Sequence, residues 1–442
     1  MLNFRLGLDD TDNPEGGCTT YTLTKIIDAL SKKDPKFTLL DFPKLIRLNP
    51  NVPYKTRGNG ALALHGQTNL SLKEVEKIVQ QIIEKDTSTW QKDSRTEPSY
   101  ILINEKDVIE NSEFYWSALR SLKHPDEITS LLKNSKHWSR NDNRSLVGSY
   151  AAIIADLSED FTYELIAYRK PENYGRKREF NEKSLKSQIM ENRDMLFSNY
   201  DFIEDRELIA PSGPDPVFCG IRGEDPRILV QVFKNLDIAE SLEGYTIFKT
   251  NQGTGHHLKR PHHSFLPNSV HTGTYRLREN PMILKGGHVK LKCRDVYKAR
   301  SVDLMVFEPT KTIVKTAQKL RKDDIIHILG GVKQNDFGIS IAVEELFVIH
   351  LAEQIKIEPP ICINCNKRMT SAGRFKGYKC RNCGYKMMAG IPKKQKRPKI
   401  TAFSRLLPVA SAQRHLTKPY ERYGRKPVTI SPHHLKDVRV IF

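Results

Sequence analysis

Apolar residues alternate with polar or small ones at the start of the chain. Leu2, Phe4, Leu6 and Leu8 predict a half-buried strand that runs directly into Asp9-Asp10-Thr11-Asp12. After a turn from Asn13 to Gly17 the period lengthens. Leu23, Ile26, Ile27 and Leu30 recur at helical spacing, which predicts a helix with Thr19 or Thr20 as its N-cap. Ser71, with Glu74 three residues later, reads as a capping box opening a second helix, whose apolar face is Leu72, Val75, Ile78, Val79, Ile82 and Ile83. More helix is expected from about residue 114 to 132. Strands at 147–157 and 163–168 then complete an α/β first domain.

From residue 187 to about 258, strands and helices alternate around a Gly/Pro-rich loop at 210–225, the pattern of a small α+β module. Short strands at 282–293, 302–307, 323–329 and 339–349, with one helix-like stretch at 312–320, suit an OB-type Greek-key barrel. At 442 residues the chain exceeds what one core normally organises. The expected division is 1–185, 186–268, 269–352 and 353–395, with a basic tail at 396–442.

Charge changes this picture. The formal net charge is +19, and from Lys356 to Phe442 there are 21 Lys and Arg against Glu358, Glu421 and Asp437, a net of +18. The body carries only about +1. Clustered cations gain affinity by displacing counterions from phosphates, so the rear segment is expected to bind a polyanion; a merely solvated basic tail is the bland alternative. With no run of 18 apolar residues and no leader-like N-terminus, a soluble cytoplasmic protein without a membrane partner is expected.

Four of the seven cysteines form Cys362-x-x-Cys365 and Cys380-x-x-Cys383. Four thiolates at that spacing suit a closed tetrahedral Zn²⁺ site that folds a segment too small for its own core. Lys367, Arg368, Arg374, Phe375, Lys376, Tyr378, Lys379, Arg381 and Tyr385 interleave cations with aromatics, a surface able to pair with phosphates and stack on unpaired bases. Cys18, Cys219 and Cys293 are isolated and read as free thiols.

The chemical signal is the acidic turn. Carboxylates of Asp9, Asp10 and Asp12 repel one another unless a cation neutralises them, and Mg²⁺ carried by a nucleotide is the natural partner. Gly16 and Gly17 permit close backbone approach, and Thr19 and Thr20 place hydroxyls and free N–H groups within phosphoryl reach. No Walker P-loop occurs, so ATP would need other parts. Arg47, Lys55 and Arg57, in an irregular segment containing Gly58 and Gly60, are the candidate phosphate clamp. The pairs His256-His257 and His262-His263 lack a spaced carboxylate and are read as exposed or RNA-facing.

The runs Gly7-Leu8-Asp9-Asp10-Thr11-Asp12, Glu15-Gly16-Gly17-Cys18-Thr19-Thr20-Tyr21, Ile46-Arg47-Leu48-Asn49-Pro50 and Pro53-Tyr54-Lys55-Thr56-Arg57-Gly58-Asn59-Gly60 resemble the archaeal tRNA 2-agmatinylcytidine synthetase (TiaS) family. The resemblance continues through Glu164 to Arg169, Pro211 to Pro216, Gly220 to Gly223, Thr250 to Thr254, the OB-like segment and the zinc ribbon. It implies a multidomain α/β and α+β enzyme made of a kinase-like α/β domain, a ferredoxin-like domain, an OB-fold β-barrel and a zinc ribbon. The implied activity is ATP-dependent ligation of agmatine to C2 of the wobble cytidine of the AUA-decoding isoleucine tRNA, through phosphorylation of the cytosine 2-oxo group. The anticodon and acceptor regions of the tRNA would be held, and no protein partner is inferable.

By resemblance, Asp9, Asp10 and Asp12 hold Mg²⁺–ATP, and Thr19 stands beside the γ-phosphate as a phosphorylatable residue with Thr20 as fallback. Pro211, Ser212, Gly213, Pro214 and Asp215, with Asn251, are assigned to the amine. One departure is Gly255-His256-His257, where an acidic residue is expected in the family. Two other readings stay open at this point: a non-catalytic OB-fold and zinc-ribbon nucleic-acid-binding protein, and a related ligase using a different amine or RNA.

Overall fold

The computed structural model describes every residue except 57, 261–264, 299, 336–337, 396, 398, 401–402, 435–437 and 442. The chain forms two compact units. The first holds Met1–Thr272, Leu329–Ile339 and Leu407–Phe442, and the second Gly273–Ile328 and Ser340–Leu406. The expected boundaries at 185 and 268 both fall inside the first unit.

In the first unit, β1 (Leu2–Asp9) leads into α1 (Thr19–Lys33), β2 (Thr38–Leu39), β3 (Lys44–Arg47), β4 (Gly60–Thr68) and α2 (Leu72–Thr87). Then come β5 (Ser99–Asn104), α3 (Ser112–Ala118), β6 (Lys136–Ser139), α4 (Arg144–Ile153), β7 (Thr162–Arg169) and α5 (Glu182–Glu191). A small hairpin, β8 (Tyr200–Asp201) and β9 (Arg206–Glu207), precedes β10 (Val217–Gly223), α6 (Pro226–Lys234) and β11 (Leu242–Thr250). One sheet runs β10-β7-β11-β3-β4-β1-β5-β6, with β2 on β4 and the terminal strand Arg439–Ile441 on β11. All its pairings are antiparallel except β11 on β3.

The predicted strand at 147–157 is instead α4. Its residues Leu146 and Gly148 to Ile153 are all buried, so it has no polar face to betray a helical period, and a short apolar run of this kind does not distinguish helix from strand. The helix expected over 114–132 shortens to α3 followed by 3₁₀ turns at Pro125–Glu127 and Thr129–Leu132. The capping box of α2 is present: Ser71 Oγ accepts from Glu74 N, and the Glu74 carboxylate accepts from Ser71 N.

Strands β12 (Val270–Leu277), β13 (Met282–Ile283), β14 (Val289–Asp295) and β15 (Ser301–Val306), the short helix α7 (Thr312–Ala317), then β16 (Ile325–Asn335) and β17 (Gly338–His350) form a sheet ordered β12-β16-β17-β15-β14-β13. Pairing of β12 with β14 closes it into an OB-like barrel with the helix between β15 and β16, at the place in the chain the pattern predicted; β12, the barrel's first strand, was not among the strands expected.

Candidate active site

The acidic turn is built by close packing behind it. A Cβ on Gly7 would fall 2.1 Å from the Ser149 carbonyl oxygen, and one on Gly148 would fall 1.9 Å from Asp9 Oδ2. Two glycines therefore let α4 lie flush on β1 and leave the volume that the Asp9 carboxylate occupies. Asp10 adopts the left-handed region (φ 53°), its N–H donating to Asp9 Oδ1 at 2.8 Å. Its own carboxylate accepts from Thr56 Oγ1 at 2.8 Å and from Glu97 N at 2.9 Å, while Asp12 Oδ1 accepts from Thr19 Oγ1 at 3.1 Å.

Burial, then the charge of Asp10, drives the Asp9 carboxyl well above the ordinary range. Asp10 is pushed up to about 7, by burial first and by Asp12, against the lowering bond from Thr56. Such crowding is relieved by a divalent cation. The three aspartates do not converge on one point as a closed metal site would require, but Mg²⁺ is ordinarily held by one or two carboxylates together with substrate phosphates, a demand that adjacent Asp9 and Asp10 meet.

The N-cap of α1 is Cys18, not a threonine, and its side chain makes no capping bond. Thr19 and Thr20 are instead the first two helical residues, and both line the cavity; the Cys18 thiol lies 3.0 Å from Thr20 Oγ1. Gly16 closes a turn with Asn13, and Gly17, at φ 70°, would place a Cβ 2.8 Å from the Trp90 ring. These glycines pack on Trp90 rather than line the cavity.

The cavity has a volume of about 1050 Å³. Around it stand Lys55, Arg95, Lys123, Arg144 and Arg206, and Tyr54 lies under Arg144 with 4.8 Å between guanidinium and ring centre. Arg47 lies deeper, and Arg57 is outside the described residues. The facing wall contains Pro211, Ser212, Gly213 and Asp215, but not Pro214. Arg178 organises that loop. Its guanidinium donates to the carbonyls of Pro211 (2.6 Å), Gly213 (2.9 Å), Asp215 (3.1 Å) and Val217 (2.8 Å), and pairs with Asp215 Oδ1 at 3.3 Å. Burial and then Asp215 raise the Cys18 thiol, so the carboxylate of the far wall is felt at the start of α1.

Asn251 does not line the cavity. Its carboxamide accepts from Arg47 N and donates to Arg47 O, both at 2.8 Å, and donates to Tyr115 Oη at 3.1 Å. It fixes the backbone that carries Arg47. His256 and His257, expected at the surface, are fully buried. His256 Nδ1 lies 3.1 Å from Tyr115 Oη, and its pKa is lowered to about 3, by burial first and then by Lys259. The reason is the 3₁₀ turn His256–Leu258, which follows left-handed Gly255 and packs inward. His262 and His263 lie outside the described residues.

Several lining residues were given no role from the sequence, among them Arg95, Lys123, Arg144 and Arg206 and, deeper, Glu164, Arg222 and His415. Glu164 and Arg222 face each other across β7 and β10, with Arg222 Nε 3.0 Å from Glu164 Oε1, and a Cβ on Gly220 would press to 2.7 Å of that oxygen. The available signal was a charge within each of two largely apolar strands, Glu164 in β7 and Arg222 in β10. His415 comes from the tail. Gly253 N donates to His415 O at 2.8 Å and Gly255 N to Leu416 O at 2.7 Å. The segment 407–442 is thus bound to the body, through Arg422 above all, and does not trail from it.

In the ribbon, Cys362, Cys365, Cys380 and Cys383 present sulfurs that all lie within 4.8 Å of one another. Three of the pairs are 3.3, 3.4 and 3.8 Å apart, close to the ~3.8 Å edge of a tetrahedron with ~2.3 Å Zn–S bonds. Two matching knuckles hold them. Asn366 N donates to Cys362 O at 2.9 Å and Gly384 N to Cys380 O at 3.0 Å, both from left-handed backbone at φ 54° and 72°. The donor set fits structural zinc and leaves no open coordination position.

Known proteins match the chain along its length. Family models match residues 5–141 (TiaS TCKD domain), 143–257 (TiaS FLD domain) and 359–398 (TiaS C-terminal zinc ribbon domain). The isoleucine-tRNA 2-agmatinylcytidine synthetase TiaS of Thermofilum pendens is 35% identical over 97% of both chains, and that of Archaeoglobus fulgidus is 34% identical over 94% of this chain and 97% of its own. A crystal structure of TiaS in complex with its isoleucine tRNA and ATP superposes with TM-score 0.86 at 31% identity, covering 98% of this chain and all of that one. A complex of TiaS with the same tRNA, AMPCPP and agmatine gives 0.83 at 29% identity, with coverages of 98% and 100%. The chain belongs to the isoleucine-tRNA 2-agmatinylcytidine synthetase family, TiaS.

Proposed function

We propose that this protein uses ATP to join agmatine to C2 of the wobble cytidine of the AUA-decoding isoleucine tRNA, working in the cytoplasm. The observation that carries this reading is one cavity lined both by the carboxylate turn and by the loop of Pro211 to Asp215, with cations on its walls. Asp9, Asp10 and Asp12 hold Mg²⁺ and the nucleotide. Thr19, with Thr20 beside it, stands at the γ-phosphate, and Lys55, Arg57 and Arg47 act on phosphates.

Pro211, Ser212, Gly213 and Asp215 form the amine wall, stiffened by Arg178; Asn251 fixes the backbone that carries Arg47, and the Gly16-Gly17 turn packs on Trp90 beside the acidic turn. The cytosine 2-oxo oxygen is a poor leaving group until phosphorylated, after which an amine attacks C2 and phosphate departs. The exposed cations and Phe375 of the zinc ribbon, together with the OB-like barrel, hold the tRNA. Mass spectrometry of the wobble nucleoside, after incubating unmodified tRNA with protein, ATP, Mg²⁺ and agmatine, tests the reading. Agmatinylcytidine is expected with the native protein and absent with Asp10→Ala; an unmodified nucleoside with the native protein refutes it.

A further inference from the structure

The inner part of the cavity holds cationic and imidazole groups that neither the acidic turn nor the amine wall uses. Among the described residues the Arg47 guanidinium makes no hydrogen bond or ion pair, and its Nε is completely enclosed without a partner. Glycines keep the space around it clear: a Cβ would lie 2.6 Å from Arg47 Nη1 at Gly58 and 2.8 Å from it at Gly60. The same point at Gly58 lies 2.9 Å from His415 Cδ2 and 3.0 Å from its Nε2, so guanidinium, glycine and imidazole share one corner. The His415 ring is exposed to the cavity and makes no hydrogen bond among the described residues, although its backbone is tied down by Gly253.

Arg222 is the third member. It lines the same cavity, is 16% exposed, and is steadied by Glu164 and by the Ser198 carbonyl at 3.0 Å. The charge of Arg47 first, with that of Arg222, lowers the pKa of the His415 imidazole. Arg47 in turn feels Glu164 on the amine side and Cys18 and Asp12 on the nucleotide side, which puts the corner between the two halves of the chemistry. A guanidinium whose Nε is enclosed and unpaired is costly, and two guanidiniums with an imidazole N–H donor match the oxygens of a phosphate dianion.

We propose that Arg47, Arg222 and His415 form the seat of the transferred phosphoryl group, holding it on the cytidine oxygen and then as the departing phosphate. This rests on the function proposed above. In the first step the cytidine O2–Pγ bond forms and the bond from Pγ to the bridging oxygen breaks, its electron pair leaving with the nucleotide. In the second the amine nitrogen bonds to C2 and the C2–O bond breaks. The pair leaves on phosphate, which takes one of the two protons shed by the ammonium group while the other goes to solvent. The guanidiniums and the imidazole N–H hold the phosphate oxygens through both steps.

The same chemistry is offered by the nucleotide's own phosphates and by the tRNA backbone, so the test separates the three. Full-length native protein, His415→Ala, His415→Gln and Arg222→Lys are compared for agmatinylcytidine turnover, for ATP and tRNA affinity, and for product inhibition by inorganic phosphate. His415→Ala is expected to lower kcat about tenfold and to weaken phosphate inhibition by about the same factor, the size of one lost hydrogen bond to an ion, with ATP and tRNA affinity within about twofold of native. His415→Gln, which keeps a donor, recovers part of the loss, and Arg222→Lys weakens phosphate inhibition in the same way. An unchanged kcat, or a loss confined to ATP affinity or to tRNA affinity, overturns the seat while leaving the function standing. Native protein that makes no agmatinylcytidine overturns both.

Discussion

Replacing Arg422 with methionine tests whether the C-terminal segment is a structural strap. The guanidinium is completely buried. It donates to Glu224 Oε1 at 2.6 Å and Oε2 at 2.9 Å, to Asp160 Oδ1 at 2.9 Å, and to the carbonyls of Gly253 and Phe161 at 2.7 and 3.1 Å. Methionine keeps the length and apolar stem but leaves Glu224, only 1% exposed, without its countercharge; Asp160 retains Lys418 at 2.7 Å. Removing one partner of a buried ion pair costs about 3–5 kcal/mol. In a folded body of this size each kcal/mol moves Tm by roughly 2–4 °C, so a fall of about 10 °C is expected. Trp90, Trp116 and Trp138 all belong to the first unit, so tryptophan fluorescence reports its melting alone. Adding Glu224→Gln removes the stranded carboxylate and restores about half of the loss. A single variant that melts within about 2 °C of native, or a double variant no more stable than the single, would refute the reasoning.

Gly148→Ala drives a methyl into the Asp9 carboxylate. We expect a stability loss of about 1–3 kcal/mol, and ATP-dependent turnover that falls far more than tRNA affinity, read by parallel melting, kinetic and binding assays. Stripping the metal with a chelator, or Cys380→Ser, should unfold the ribbon and weaken tRNA binding while leaving the tryptophan melt unchanged; loss of that melt would contradict the division into units. The depressed pKa of His256 means that the folded state resists a proton which the unfolded chain accepts near 6.5. Its contribution is complete above that pH and drains away as pH falls toward about 3, amounting to about 2 kcal/mol by pH 5. His256→Gln should therefore flatten the acid limb of a Tm–pH curve, and an unaltered limb would count against the burial argument. Arg374→Ala should reduce the salt slope of tRNA binding by about one, whereas Arg439→Ala, which loses an ion pair to Asp28, should cost stability and leave that slope alone.

What the sequence displayed was whatever is encoded over a few turns of chain. The alternation of Leu2 to Leu8, the Asp9–Asp12 turn, the face of α2 with its box at Ser71, and the paired cysteines each depend on neighbours within about twenty positions, and each is found in the structure. α4 was misread because its helical period is erased when nearly every position is buried. Asn251 looked like a ligand residue, yet its partner is the Arg47 backbone, some two hundred residues earlier. The boundary expected at 185 has no counterpart in compactness, since β7, β10 and β11 continue the sheet that begins with β1.

The basic rear of the chain shows why a charge count alone misleads about location. In the ribbon, Lys367, Arg368, Arg374, Lys376, Lys379 and Arg381 are exposed, and no ion pair engages them among the described residues. There the count reads as a surface for phosphates. In the tail, three of the cations are instead engaged internally: Lys418 and Arg422 on Asp160, Arg422 on Glu224, Arg439 on Asp28. Their acids lie hundreds of residues earlier, in the part whose net charge looked neutral only because these partners were counted with it. Those three cations therefore hold the strap that carries His415 into the cavity, and the ribbon's charge is left available for the tRNA.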